Sequence, residues 1–263
     1  MRVILHADDF GFDQDTFEAT VECFENGSLS SASIMPTCPF AEDAIEYART
    51  HSQYSFGVHQ TYVDGLKPAS AAITIPSLVD EKGLFLDSRI IRKKGLLLKI
   101  KKDEILCESN AQKSILQDNG VRVSHLDSHG HIHKLPSFLL AMRHMIIDGQ
   151  ERLRLRSVQN MFLQPPSWKS PTTILNNVFR WYIKHHFLTT DYFYMPANRF
   201  DTNWGRCILK QMDSLPQEAT IEIGVHPGHK EPWRQHEYDD INEFASLLRG
   251  SRRHEIINWT DIH

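Results

Sequence analysis

Val3-Ile4-Leu5-His6-Ala7-Asp8-Asp9-Phe10-Gly11 is a short run of mostly apolar β-formers that ends on two carboxylates and a glycine able to turn. We read Val3 to Ala7 as a first strand and Asp8-Asp9 as its exit turn. Phe17, Val21 and Phe24 follow at helical spacing, with Asp13 or Asp15 as N-cap and Asn26-Gly27 as the stop. The alternation repeats. Strands are expected near Leu29 to Met35, Phe56 to His59, Val121 to Asp127, Leu153 to Ser157, Ala219 to His226 and Glu255 to Asn258. Helices are expected near Ala41 to Arg49, Pro136 to Ile147, Thr172 to His186 and Asp239 to Leu248. Such β-then-α order implies an α/β fold with a parallel sheet covered by helices.

At 263 residues the chain fits one large unit, and we expect a single catalytic domain over 1–263. Residues 60–95 break the rhythm with Gly65, Pro68, Pro76 and Gly83, and read as a substrate-side loop or lid. Gln159 to Ser170, with Pro165-Pro166, reads as a second segment of that kind. The basic run from Arg92 to Lys102 reads as an element with one solvated cationic face.

A hydrophobic content of 41% with 24% charged residues excludes a disordered chain, and a net charge of -4 supplies no field for nucleic acid. No stretch approaches the ~18 apolar residues of a membrane span. Cys23, Cys38, Cys107 and Cys207 form no C-x-x-C pair, so neither a disulfide framework nor a thiolate zinc site is expected. A cytoplasmic protein follows, with homo-oligomerisation left open.

Metal-competent residues fall at the C-terminal ends of the expected strands: Asp8-Asp9, His59, the cluster from His125 to His133, and His226. In parallel α/β folds that edge is where active sites assemble. Adjacent carboxylates repel unless a cation offsets them, although either could instead cap a helix. The cluster holds four of the chain's 15 histidines in nine residues. Alternate positions of an extended segment share a face, so His125, Asp127 and His129 could line one side, with Asp127 orienting an imidazole from behind. His59 and His226 stand alone in sequence and gain weight from position; a histidine beside the Pro227-Gly228 turn suits a general acid near neutral pH.

Ala7-Asp8-Asp9-Phe10-Gly11, Gly57-Val58-His59, His125-Leu126-Asp127-Ser128-His129-x-His131-x-His133 and His226-Pro227-Gly228 together resemble the successive signatures of the YdjC-like carbohydrate deacetylases. Ser31-Ala32-Ser33-Ile34-Met35 and Pro76-Ser77-Leu78-Val79-Asp80 are similar to further segments of that family. The resemblance, shared with the NodB-like deacetylases, implies an irregular (β/α) barrel and one divalent ion, magnesium or zinc, held by Asp9, His59 and His129. It also implies Asp8 as base, His226 as proton donor, and an N-acetylated saccharide as substrate. His6 departs from an asparagine usual before Ala-Asp-Asp, and Gln60-Thr61-Tyr62 replaces a more apolar segment. Two alternatives are a metal-dependent phosphoesterase or amidohydrolase using His131 and His133, and an inactive sugar-binding protein.

Overall fold

The computed structural model describes residues 1–147, 150–196 and 202–263. Chain order is β1 (Arg2–Phe10), α1 (Gln14–Glu25), β2 (Ser31–Ile34), α2 (Ala41–Thr50), β3 (Ser55–Gln60), α3 (Ser88–Leu96), α4 (Lys102–Asp118), β4 (Val123–Ser128) and α5 (Pro136–Met142). Then come α6 (Pro171–His186), β5 (Tyr192–Tyr194), α7 (Trp204–Met212), β6 (Thr220–Val225), α8 (Pro232–Gly250) and β7 (Glu255–Ile257). The strands pair in parallel in the order β4-β3-β2-β1-β6-β5, and β7 pairs with the start of β1.

The expected strand at Leu153 to Ser157 is present as a looser stave. Leu155 bridges Leu126 of β4, Arg154 bridges Leu188, and the Asn160 and Met161 amides donate to the Phe193 carbonyl on β5. These contacts join the two ends of the sheet, so it curls into an irregular (β/α) barrel. Side-chain alternation then sorts residues between two environments. Val3, Leu5 and Ala7 of β1, Ala32 and Ile34 of β2, and Ile221, Ile223 and Val225 of β6 join the main apolar core. The alternate positions face the barrel interior, which is apolar only at its base, where Ile4, Ile257, Trp259 and Ile262 pack together. Above that plug lie His6, Ser31, Ser33, His125, Asp127, Arg156 and Glu222, all buried.

Several boundaries differ from expectation. β1 does not stop at Ala7 but runs through both carboxylates to Phe10. Helix α8 starts seven residues before Asp239, at Pro232, whose fixed φ suits a first helical turn. The basic run is no single element: Leu98 takes a φ of 55°, which separates α3 from α4. The 60–95 stretch is pinned, because one face of α4 offers it hydrogen bonds in place of a sheet. Glu104 accepts from the Ser77 amide, Glu108 from the Ala69 and Ser70 amides, and Gln112 bonds both backbone groups of Thr61.

Candidate active site

Two consecutive residues of a regular strand point to opposite faces, yet Asp8 and Asp9 both serve the barrel mouth. The register of β1 against β2 shifts between Ala7 and Phe10, and Asp9 has a φ of 59°. This bulge turns Asp9 toward the mouth, and aspartate tolerates the left-handed conformation better than most residues.

Asp9 Oδ1 lies 2.9 Å from His129 Nδ1 and 3.3 Å from His59 Nε2. Donor atoms of these three residues all fall within 4.8 Å of one another. His59 is aimed from behind, its Nδ1 donating to Asp127 Oδ1 at 2.9 Å, so Nε2 faces Asp9. Asp127 thus orients an imidazole, as its place in the histidine cluster suggested. Four buried carboxylates, Asp8, Asp9, Asp127 and Glu222, crowd this end of the barrel against two guanidiniums, Arg156 and Arg234. Burial opposes charging the His59 ring, but Asp127 and Asp8 prevail and push its pKa up to about 10. The buried carboxylates outnumber the guanidiniums, so a cation would offset their charge, and an Asp-His-His donor set fits a divalent ion with coordination positions to spare.

Asp8 sits beside this cluster and is clamped. Arg156 Nη1 and Nη2 donate to its two oxygens, each at 2.7 Å, and Arg156 also bonds Glu222 Oε1 and pairs with Asp127 at 2.8 Å. Burial alone would raise the Asp8 pKa, but Arg156 and then His59 outweigh it and hold the carboxyl far below its usual range. His226 Nε2 lies 3.8 Å from Asp8 Oδ2. Its Nδ1 and its backbone amide both donate to Glu237 Oε2, at 3.1 and 2.6 Å. Burial disfavours a charged His226 ring; Glu237, Asp9 and Asp8 more than compensate and raise its pKa. Arg234 donates to Asp9 Oδ2 at 2.7 Å. A side chain at Gly228 would come within 2.8 Å of Asp15 Oδ2 and 2.9 Å of Arg234 Cδ, which explains a glycine in the loop after His226.

All five residues singled out from sequence therefore meet: Asp8, Asp9, His59, His129 and His226. The rest of the histidine cluster does not join them. His125 lies below, stacked on Trp259 at 4.6 Å, in space that a side chain at Gly57 would occupy. His133 bonds Ser128 Oγ and His131 packs against Phe193, and neither belongs to a group of three converging donors among the described residues. That geometry removes the support for a site built on His131 and His133. Sequence reading missed Arg156, Glu222, Arg234 and Glu237. One signal was available: Arg156 and Glu222 sit at interior-facing positions of expected strands, where a charge demands a partner.

The sequence model of one family, described as YdjC-like protein, matches residues 2–260. A carbohydrate deacetylase from Thermoanaerobacter pseudethanolicus is 36% identical over 132 residues, 49% of this chain and 50% of that protein. One from Enterococcus faecalis is 33% identical over 134 residues, 50% of this chain and 49% of that protein. The chain thus spans about half the length of the curated relatives it matches. The crystal structure of an Enterococcus faecalis V583 protein, described as a candidate cellobiose-phosphate cleavage protein, superposes with a TM-score of 0.79 at 23% identity. It covers 98% of this chain and 97% of the other, and shares the fold. With a family match over almost its whole length, the chain belongs to the YdjC-like protein family.

Proposed function

We propose that this protein is a metal-dependent hydrolase that removes the acetyl group from an N-acetylated sugar or short oligosaccharide. The carrying observation is the meeting of Asp9, His59 and His129 beside a clamped carboxylate, Asp8, and a carboxylate-held imidazole, His226. The names of the curated relatives, carbohydrate deacetylases, support the substrate class.

Asp9, His59 and His129 would hold the ion, and two imidazoles among three donors favour zinc or another transition metal over magnesium. When bound, a divalent ion supplies Lewis acidity: it polarises the amide carbonyl and makes a water acidic enough for a carboxylate of low basicity to deprotonate. Asp8 then serves as the base. Its clamp keeps it ionised and fixed in position while the water oxygen bonds to the acetyl carbon. His226 Nε2 donates a proton to the amine nitrogen as the C–N bond breaks, giving acetate and the free amine. Glu237 holds the opposite nitrogen, so the proton is presented toward the site. We place the reaction in one catalytic domain formed by the whole chain. Four free cysteines fit a cytoplasmic setting. Among the described residues no helix is long and apolar enough to cross a membrane.

Acetate release from N-acetylated mono- and disaccharides, measured after chelation and metal add-back, tests the proposal. Activity should return with zinc or another transition metal. Asp8→Asn and His129→Ala should each lower the rate by about 10²-fold or more. Wild-type rates in both variants, or no acetate from any saccharide, would overturn it.

A further inference from the structure

The Gln159–Ser170 segment leaves the barrel just after Arg156, at the end of the molecule where the strands deliver the active site. Between this segment and the start of α6 runs a groove whose lining includes Phe162, Pro165, Pro166, Asn176, Asn177 and Arg180. Trp168 stands on its rim with 75% of its surface exposed, and the Lys169 ammonium lies 5.1 Å from its ring centre. Asn176, Asn177 and Arg180 project from neighbouring positions of α6. Among the described residues none of these three side chains has a hydrogen-bond or ion-pair partner, and the Arg180 Nε is buried without an acceptor.

We propose that this groove is a saccharide subsite, which takes the sugars of an oligosaccharide beyond the one that carries the reacting acetyl group. A pyranose ring has a flat C–H face and a rim of hydroxyls. It is therefore recognised by an exposed aromatic ring next to side chains that both donate and accept, as asparagines do. An apolar protein partner would leave Asn176, Asn177 and Arg180 unpaired; hydroxyls satisfy them. The position also fits. Gln159 is three residues from Arg156, at most about 11 Å of extended chain from the guanidinium-bearing residue that clamps Asp8. The groove therefore begins only a few residues of chain from the active site. The inference rests on the deacetylase reading and makes the preferred substrate an oligosaccharide.

Titration calorimetry of the full chain with N-acetylated oligosaccharides of one to four sugars tests this, run beside acetate release on the same ligands. Affinity should rise with chain length. Trp168→Ala and Asn177→Ala should each weaken binding of the longest ligand by about 10-fold while sparing the monosaccharide, and Trp168→Phe should retain most of the affinity. Affinity that is flat in chain length, or an equal loss for one sugar and for four, would overturn the subsite. If acetate is never released, the deacetylase reading fails, yet the length series still decides the groove.

Discussion

The barrel mouth and the layer beneath it carry the same kinds of residue and use them differently. At the mouth, Asp9, His59 and His129 bring donor atoms within 4.8 Å of one another, and His226 Nε2 lies 3.8 Å from Asp8 Oδ2. One layer down, Asp8, Asp127 and Glu222 gather around Arg156, with only Glu222 Oε2 left without a partner among the described residues. Arg156 reaches three carboxylates, and Ser33 Oγ adds a hydrogen bond to Asp127 at 2.9 Å. The mouth gathers donor atoms around one space, and the layer below holds their carriers in place. The difference teaches that charge alone does not mark a functional group in this molecule; the supply of partners does. Asp8 belongs to both regions, since its oxygens are clamped from below while Oδ2 also faces His226.

The comparison breaks most violently at Arg156. Arg156→Met would leave three buried carboxylates without their common counter-charge, and removing one partner of a buried ion pair costs about 3–5 kcal/mol. We expect a loss of that order in urea unfolding, with Arg156→Lys intermediate because an ammonium cannot reproduce the two-pronged clamp. A loss below about 1 kcal/mol for Arg156→Met would mean that the lower layer does not support the mouth.

The same division decides what sequence could reveal. Asp8, Asp9, His59, His129 and His226 were legible because each is a metal-competent type at the exit of a β-forming run, and a parallel fold gathers such exits. Apart from Asp8, the layer below was read only through Asp127, and the interior-facing charges Arg156 and Glu222 gave a weaker signal. Arg156 lies in a stave joined to β4 and to Leu188 by single bridges. Its importance comes from Asp8, 148 residues away, and nothing local to Leu153-Arg154-Leu155-Arg156 announces that partner. Glu237 was missed for another reason: the apolar periodicity of α8 is clear only from its middle, so the polar first turns that carry Arg234 and Glu237 were left outside the expected helix. The Asp9 bulge is equally silent, because strand alternation puts Asp9 on the wrong face.

Glu237→Gln sharpens the comparison on the mouth side. In the proposed reaction His226 acts when protonated, so activity falls as pH rises through its pKa. Glu237 is the foremost influence holding that pKa up against burial. The glutamine variant should therefore move the alkaline limb of the rate profile to lower pH. It should also reduce activity by about 10-fold near neutral pH, as loss of a group that orients a reacting imidazole does. An unmoved alkaline limb with reduced rate would make Glu237 merely structural.

The smallest effect is expected at Glu222. It is fully buried, burial raises its pKa more than Arg156 lowers it, and its Oε2 has no hydrogen-bond partner. Because the folded-state pKa lies above the unfolded one, wild-type stability falls as pH rises from the usual carboxylate range through that raised value. Glu222→Gln removes the titration while its amide oxygen can still accept from Arg156. Measured by urea unfolding, the variant should therefore gain on the wild type between pH 4.5 and pH 7, with a difference at neutral pH within about 1 kcal/mol of zero. Asp8 and Asp127 would remain as counter-charges for Arg156, so the clamp on Asp8 should survive and the acetate-release rate should change little. If Glu222→Gln instead lost as much stability as Arg156→Met, the lower layer would need all three carboxylates ionised, and the surplus of negative charge that makes room for a cation at the mouth would extend one layer deeper.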